Sequence, residues 1–324
     1  MITRSSYALT LDRITIIPAT KSTPHSPPTT TTTTTTPRDW SQIYSIYGLD
    51  TTTLLLSLSL LLLSLLLTLL SLLLLLQHRP ILFSISCLLS MFLFMAALNL
   101  CYSAGPLRWE MGQRVVGTVR EWGSVRKVLD VGCGGGGMLL NAVALRLKKE
   151  GGVGRVVGVG GRKGEVVEVL RTAGVEGVQE YVTCREGDVR RLPFRDDYFD
   201  VVVSGTFLHR VGKVFGHKTP AAASAERVRV LGEVIRVLKP GGVGVVWDLM
   251  HVPEYVRKLR ELRMEDVRVS ERVTAFLVGS HIVSFRKPKG YGGVLAAAVA
   301  GEGEVRLDWR SHNNNNNHNV INMC

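Results

Sequence analysis

Residues 127–137 read Lys-Val-Leu-Asp-Val-Gly-Cys-Gly-Gly-Gly-Gly, and the fold turns on them. Lys127 to Val131 has the apolar, β-branched character of a short buried strand. It runs into Gly132, Cys133 and Gly134 to Gly137, and Met138 to Lys149 then has helical periodicity. A strand, a glycine loop and a helix together hold an anionic or nucleotide-like ligand. The glycines let backbone approach the ligand, and the helix N-terminus offers unpaired N–H groups. The loop alone does not choose the ligand, because Gly132, Gly134 and Gly137 also satisfy the GxGxxG spacing of dinucleotide folds.

Working outward, strands and helices alternate. Arg155 to Val159, Glu180 to Arg185, Phe199 to Ser204 and Val243 to Trp247 read as strands. Glu165 to Ala173 and Ala225 to Leu238 read as helices with an apolar face, the second stopped by Lys239-Pro240-Gly241-Gly242. Pro253 starts another helix. Two last strands, Val267 to Val278 and His281 to Phe285, are read as an antiparallel hairpin turning at Gly279-Ser280. This order predicts an α/β fold: a doubly wound, mostly parallel seven-stranded sheet with a terminal antiparallel hairpin, over residues 106–289.

Four segments in sequence resemble the class I S-adenosylmethionine-dependent methyltransferases, in particular the small-molecule group often called type 11 or UbiE-like. They are VLDVGCGGG (Val128 to Gly136), EGDVRRLPF (Glu186 to Phe194), DDYFDVVVS (Asp196 to Ser204) and EVIRVLKPGG (Glu233 to Gly242). The resemblance implies a Rossmann-like methyltransferase fold with S-adenosyl-L-methionine as cofactor. It implies that Asp130, Gly132, Gly134 and Gly136 hold the methionine portion, that Asp188 and the Val189 N–H meet the adenine, and that Ser204 lies where cofactor and substrate face each other. One position departs from the family. An acid usually ends the second strand and binds the ribose hydroxyls, and here that strand ends Val159-Gly160-Gly161-Arg162. Glu165, at the start of the next helix, is the acid that could reach back.

Methyl transfer requires alignment, exclusion of water and removal of any proton on the acceptor. His209, after the fourth strand, is the candidate general base. His251, Asp248 and Trp247 are expected near the same rim, and Val211 to Ser224 is read as the one extra loop. No metal site is signalled. Two other classes are open at this stage: a catalytically degenerate methyltransferase-like protein acting as a binding or interaction module, motivated by Gly160, and a nicotinamide oxidoreductase, motivated by the glycine spacing.

The first hundred residues differ in kind. Residues 1–53 are rich in Ser and Thr, with an unbroken threonine run from Thr29 to Thr36, and are expected to be disordered. With few acids and Arg4, Arg13 and Lys21, the segment also fits an organelle transit peptide. Leu54 to Leu76 is nearly all leucine and uncharged; at about 1.5 Å per residue it spans roughly 34 Å, enough for a bilayer core. A second apolar stretch runs from Ile81 to Leu100, separated by Gln77-His78-Arg79-Pro80. A transmembrane hairpin is predicted, with one anchor plus an interfacial segment as the alternative. Arg108, Arg114, Arg120, Arg126 and Lys127 then favour a cytosolic catalytic domain.

The net charge is +12, of which residues 1–105 carry +2. A basic domain beside an apolar anchor suits an anionic membrane face. The charges are dispersed and form no nucleic-acid motif, so no nucleic-acid partner is expected. None of the five cysteines forms a CxxC pair, which speaks against a structural zinc site and for a reducing compartment. The expected partners are a membrane and a small-molecule, lipid-like acceptor. After Lys289 the pattern is lost, and residues 290–324, with the run Asn313 to His318, are expected to be a disordered tail.

Overall fold

The computed structural model describes residues 38–49, 51–160, 163–275 and 278–291. The disorder expected over residues 1–37 and 292–324 lies outside the described residues.

Strand β1 (Lys127–Val131) is fully interior apart from its first residue, which accounts for its unbroken apolar run. It pairs in parallel with β2 (Arg155–Gly160), which pairs in parallel with β3 (Val182–Glu186). On its other edge β1 pairs with β4 (Phe199–Gly205), and β4 with β5 (Leu238–Asp248), again in parallel. Strands β6 (Glu265–Val269), β7 (Val273–Ala275) and β8 (Val278–Arg286) finish the sheet antiparallel, in the order β3-β2-β1-β4-β5-β8-β6, with β7 on β8. The order reverses between β1 and β4, so a crevice opens beyond their C-terminal ends.

The sheet has eight strands among the described residues, where seven were expected. Ser270 is the cause. Its backbone N–H donates to the Ile282 carbonyl at 2.8 Å, and its hydroxyl accepts from the Ile282 N–H at 2.9 Å. A side-chain oxygen thus takes a ladder bond, and the strand predicted as one piece breaks into β6 and β7. Gly279 and Ser280 lie inside β8, opposite Thr274 and Val273, so they are not the turn. Lys239 to Gly242 likewise join β5. A register shift between Phe199 and Val201 and the positive φ of Gly241 (78°) absorb the irregularity.

Helices cover both faces. On one face α4 (Pro106–Thr118), α5 (Met138–Lys149) and α6 (Lys163–Val175) bury Met111, Val115, Leu140, Leu147 and Val169 against the sheet. On the other, α8 (Pro220–Val237) and α9 (Val252–Glu261) bury Leu231, Val234, Tyr255 and Leu259. Between β4 and α8 a 3-10 turn at Leu208–Arg210 leads into the short α7 (Val211–Val214), so part of the segment read as a loop is helical.

The N-terminal region departs from expectation at Trp40–Tyr47, which forms helix α1 rather than a coreless tail. Ile43 and Tyr47, one turn apart, are buried with Met138, and Arg38 makes a bidentate ion pair with Glu176 at 2.5 and 2.7 Å. Tyr47 donates to the same carboxylate at 2.8 Å. This tethers α1 to the end of α6.

Helices α2 (Thr51–Leu76) and α3 (Pro80–Ala104) form an antiparallel hairpin, each long and apolar enough to cross a membrane by length and composition. Their burial is inverted relative to a water-soluble bundle. The buried positions of α2 are Ser57, Ser64 and Ser71, seven residues apart, and those of α3 are Ser86, Ser90 and Ala97. Leucines such as Leu62 and Leu66 face outward at 62% exposure. Hydroxyls bridge the helices: Thr68 and Ser64 meet Ser90 at 2.8 and 3.1 Å, and Ser86 donates to the Leu67 carbonyl at 3.0 Å.

Candidate functional site

The site is built at the C-terminal end of β1. Gly132 turns the chain with φ 80°, and its N–H and that of Cys133 both donate to the Val159 carbonyl, at 2.9 and 3.2 Å. The loop is thereby pinned to β2. Gly136 and Gly137 also have positive φ, 74° and 66°, conformations that a side chain would strain. Gly134 is different: its φ is ordinary, −74°, and a Cβ there would meet nothing within 4 Å. A side chain at Gly134 is therefore excluded neither by backbone nor by packing. The loop faces open space at this position.

Asp130 stands directly before the loop. It is 2% exposed, and no described residue donates a hydrogen bond to it or pairs with it. Burial alone pushes its carboxyl up to about 7. A buried carboxylate without a partner is costly, and it sits beside a cradle of glycine backbone.

Across the sheet, Asp130 is in register with Gly158 of β2, which is in register with Cys184 of β3. Two residues on, a Cβ at Gly160 would lie 3.8 Å from the Glu165 Oε2 and 3.5 Å from the Cys133 Sγ. Glu165 therefore does reach back to the end of β2. Its carboxylate comes from the first turn of α6, one strand across from the glycine loop.

The loop after β4 closes over the same place. Thr206 adopts φ 48°, rare for a β-branched residue, with its N–H bonded to the Trp247 carbonyl at 2.7 Å. This directs Phe207 onto Gly132 so closely that a Cβ there would fall 2.1 Å from the ring. Two residues later comes His209. Its Nδ1 bonds to Asp248, and its backbone N–H donates to the same carboxylate at 2.8 Å. Asp248 is fully buried at the end of β5 and also accepts from the Leu249 N–H and the Tyr255 hydroxyl, both at 2.9 Å. Burial, then the Asp248 charge, pushes the Tyr255 hydroxyl well above the usual phenol range, so it stays a donor. With Nδ1 given to Asp248, the lone pair of His209 is at Nε2. The His209 side chain keeps 11% exposure. His251 lies nearby at 39% exposure, its pKa held down first by burial, and it makes no close contact with Asp248.

The predicted residues do not all share this geometry. Asp130, Gly132, Gly134 and Gly136 form one cradle. Ser204 is 1% exposed, and its hydroxyl is committed to the Val131 carbonyl at 2.9 Å, where it ties β4 to β1. Asp188, after β3, is 44% exposed and turned onto Arg190, whose side chain holds its carboxyl below the usual range. The Val189 side chain is buried in the apolar core. Phe207 and Tyr47 escaped the sequence reading. Tyr47 packs 3.5 Å from where a Gly136 Cβ would be, yet it belongs to a segment whose composition reads as unstructured. Phe207 has no motif to mark it.

Comparison with known proteins follows the geometry. A family model described as a methyltransferase domain matches residues 129–246. Demethylmenaquinone methyltransferase of Symbiobacterium thermophilum is 30% identical over 147 residues, covering 45% of this chain and 51% of that protein. Sterol 24-C-methyltransferase erg6 of Aspergillus fumigatus is 30% identical over 163 residues, covering 46% of this chain and 38% of that protein. The chain thus spans about half of the first relative and less of the second. Among solved structures, a geranyl diphosphate methyltransferase in complex with SAM aligns with TM-score 0.44 and 16% identity, over 60% of this chain and 90% of that one. The glycine cradle, the open face at Gly134 and the unpartnered Asp130 suit a cofactor that carries positive charge. Residues 129–246 are thus similar to methyltransferase domains, and that similarity supports S-adenosylmethionine as the cofactor.

Proposed function

We propose that this chain is a membrane-held methyltransferase acting on a small, lipophilic acceptor. The observation that carries the proposal is Asp130: a buried carboxylate with no partner among the described residues, beside a glycine loop that faces open space at Gly134. A cationic ligand in that space satisfies the carboxylate. When bound, S-adenosylmethionine supplies an electrophilic methyl group for in-line displacement.

The chain's own residues supply the rest. Backbone at Gly132, Gly134 and Gly136 approaches the ligand, and Asp130 balances its charge. Asp188 and the Val189 N–H sit where the adenine is expected, with Asp188 first released from Arg190. Glu165 takes the role of the missing acid at Gly160 and accepts from the ribose hydroxyls. Phe207, lying on Gly132, excludes water from that side. His209 Nε2 removes the acceptor's proton, and Asp248 holds the ring in the required tautomer. Ser204 acts as a strut. The degenerate, non-catalytic reading rested on Gly160, and the approach of Glu165 to that position weighs against it.

The membrane part of the proposal is supported by the hairpin. In water, outward leucines and inward serines are unfavourable; in hydrocarbon, small residues at the helix contact and paired hydroxyls are the favourable arrangement. The relatives named for a quinone and for a sterol suggest the acceptor class. Arg108, Arg114, Arg120, Arg126 and Lys127, following the hairpin, favour the cytosolic face for the domain.

The test is methyl transfer from methyl-labelled S-adenosylmethionine to lipid extracts, with the full chain in nanodiscs. His209→Ala is expected to lower kcat by roughly 10²–10⁴-fold while cofactor affinity stays unchanged. Cofactor binding with no transfer to any lipid fraction would overturn the lipophilic-acceptor reading and favour the binding-module one.

A further inference from the structure

Cys133 and Cys184 meet although their strands do not touch. Cys133 belongs to the glycine loop after β1 and Cys184 to β3, with β2 between them. Their sulfurs are 3.3 Å apart. Gly158 of β2 makes this possible: a Cβ there would lie 2.6 Å from the Cys133 Sγ, so only glycine leaves the space over β2 in which the two thiols meet. Both are free and buried, with Cys133 3% and Cys184 9% exposed. Neither has a part in the proposed methyl transfer. The other described cysteines, Cys87 and Cys101, lie in α3, away from this pair.

We propose that Cys133 and Cys184 are a reversible dithiol–disulfide site, closed by a peroxide, and that closing it displaces the glycine loop. The Cys184 thiolate attacks one peroxide oxygen and the O–O bond breaks, giving a sulfenic acid on Cys184 and releasing hydroxide, which takes up a proton to become water. Cys133, giving up its own proton, attacks the Cys184 sulfur. The S–O bond breaks, the S–S bond forms and a second water leaves. Both thiols are oxidised by two electrons in all, and the peroxide is reduced to two waters.

Cys184 is the more exposed of the two, 9% against 3%, and so the first to meet peroxide; the hydrogen bond the thiols share also lowers its pKa and raises that of Cys133. Bond formation shortens the sulfur separation to about 2.05 Å. The two sulfurs must close by about 1.2 Å, and because Cys133 is flanked by Gly132 and Gly134, its share of that movement is passed to both edges of the cradle. In a reducing compartment such a bond is transient and is reopened by a dithiol reductant.

The effect on the loop is independent of the methyltransferase reading; the effect on cofactor binding rests on it. The test treats the full chain in detergent with hydrogen peroxide and maps its peptides. The expected result is a Cys133–Cys184 linked peptide, removed by dithiothreitol and absent in Cys184→Ala. Faster hydrogen exchange over residues 131–138 should accompany the link, together with an at least tenfold weaker affinity for S-adenosylmethionine. Gly158→Ala, which pushes the Cys133 sulfur aside, should prevent the link while both thiols remain. Failure to link under peroxide that oxidises glutathione in the same tube would overturn the proposal, and so would a link that leaves loop exchange unchanged. A link with altered exchange, in a chain that binds no cofactor even when reduced, would uphold the site and overturn the cofactor reading alone.

Discussion

Replacing Glu165 by Gln tests whether this chain has rebuilt its ribose contact from a new position. The substitution keeps the side chain's size and removes only its charge. A Cβ at Gly160 would lie 3.8 Å from the Glu165 Oε2, so the carboxylate already occupies the neighbourhood in which an acid on β2 would act. Gln still offers a neutral acceptor, so the loss is the difference between a hydrogen bond to a charged group, about 1.5–3 kcal/mol, and a neutral one, about 0.5–1.5 kcal/mol. That difference of about 1–1.5 kcal/mol corresponds to roughly a 5–12-fold loss of affinity. Glu165 is half-buried, so solvent screening favours the lower half of that range. Calorimetric titration of S-adenosylmethionine into the full chain reads the loss directly. Glu168→Gln, on the exposed face of α6, should leave affinity unchanged. Gly160→Asp added to Glu165→Gln should recover part of the loss, because the new Cβ makes only ordinary contacts, 3.5 Å from the Cys133 Sγ and 3.8 Å from residue 165. Wild-type affinity in Glu165→Gln would refute the assignment and leave the ribose without an acid from either position.

Other predictions follow from single contacts. Asp130 is protonated in both folded and unfolded chains below about pH 4, ionises only in the unfolded chain between about 4 and 7, and is ionised in both above that range. Stability should therefore fall as pH rises from 4 to 7, and Asp130→Asn should flatten that dependence in thermal melts; an unchanged slope would show that the carboxylate has a partner. Gly132→Ala combines φ 80° with a Cβ 2.1 Å from Phe207 and should destabilise the domain by at least about 1–3 kcal/mol in denaturant unfolding, unless Phe207 swings clear at no cost. Glu176→Ala strands both Arg38 and Tyr47 and should release α1, seen as faster hydrogen exchange over residues 40–47. In the hairpin, Ser90→Ala removes contacts to Ser64 and Thr68 and should weaken helix association by about 0.6–1.7 kcal/mol in a bilayer unfolding assay, whereas Leu66→Ala, on the outer face, should not.

The sheet was legible where local pattern and tertiary role agree. β1 and α5 have the predicted limits because a strand buried on both faces and an amphipathic helix each announce their period. The break between β6 and β7 was not legible, because a serine hydroxyl replaces a backbone group there, and nothing in the alternation signals that exchange. Helix α1 was hidden by the threonine-rich composition around it; its stability comes from the Glu176 carboxylate at the far end of α6 and from Tyr47 packing beside Gly136. The cradle residues could be read from their motif. The pairing of His209 with Asp248 could not, since the two are far apart in sequence and meet only because β4 and β5 are neighbours. The Cys133–Cys184 contact is hidden in the same way, across an intervening glycine.

The central claim is that the loop at Gly132 to Gly137 holds S-adenosylmethionine, and Gly134 offers the most direct test. Its backbone is in an ordinary conformation and a Cβ there meets nothing within 4 Å, so Gly134→Val should fold and melt like the wild type. The measurement is calorimetric titration of S-adenosylmethionine and S-adenosylhomocysteine into the full chain and into this variant. The account predicts micromolar binding by the wild type and none by Gly134→Val at equal thermal stability. Absence of binding to the folded wild type up to millimolar cofactor, or undiminished binding by the variant, would contradict it.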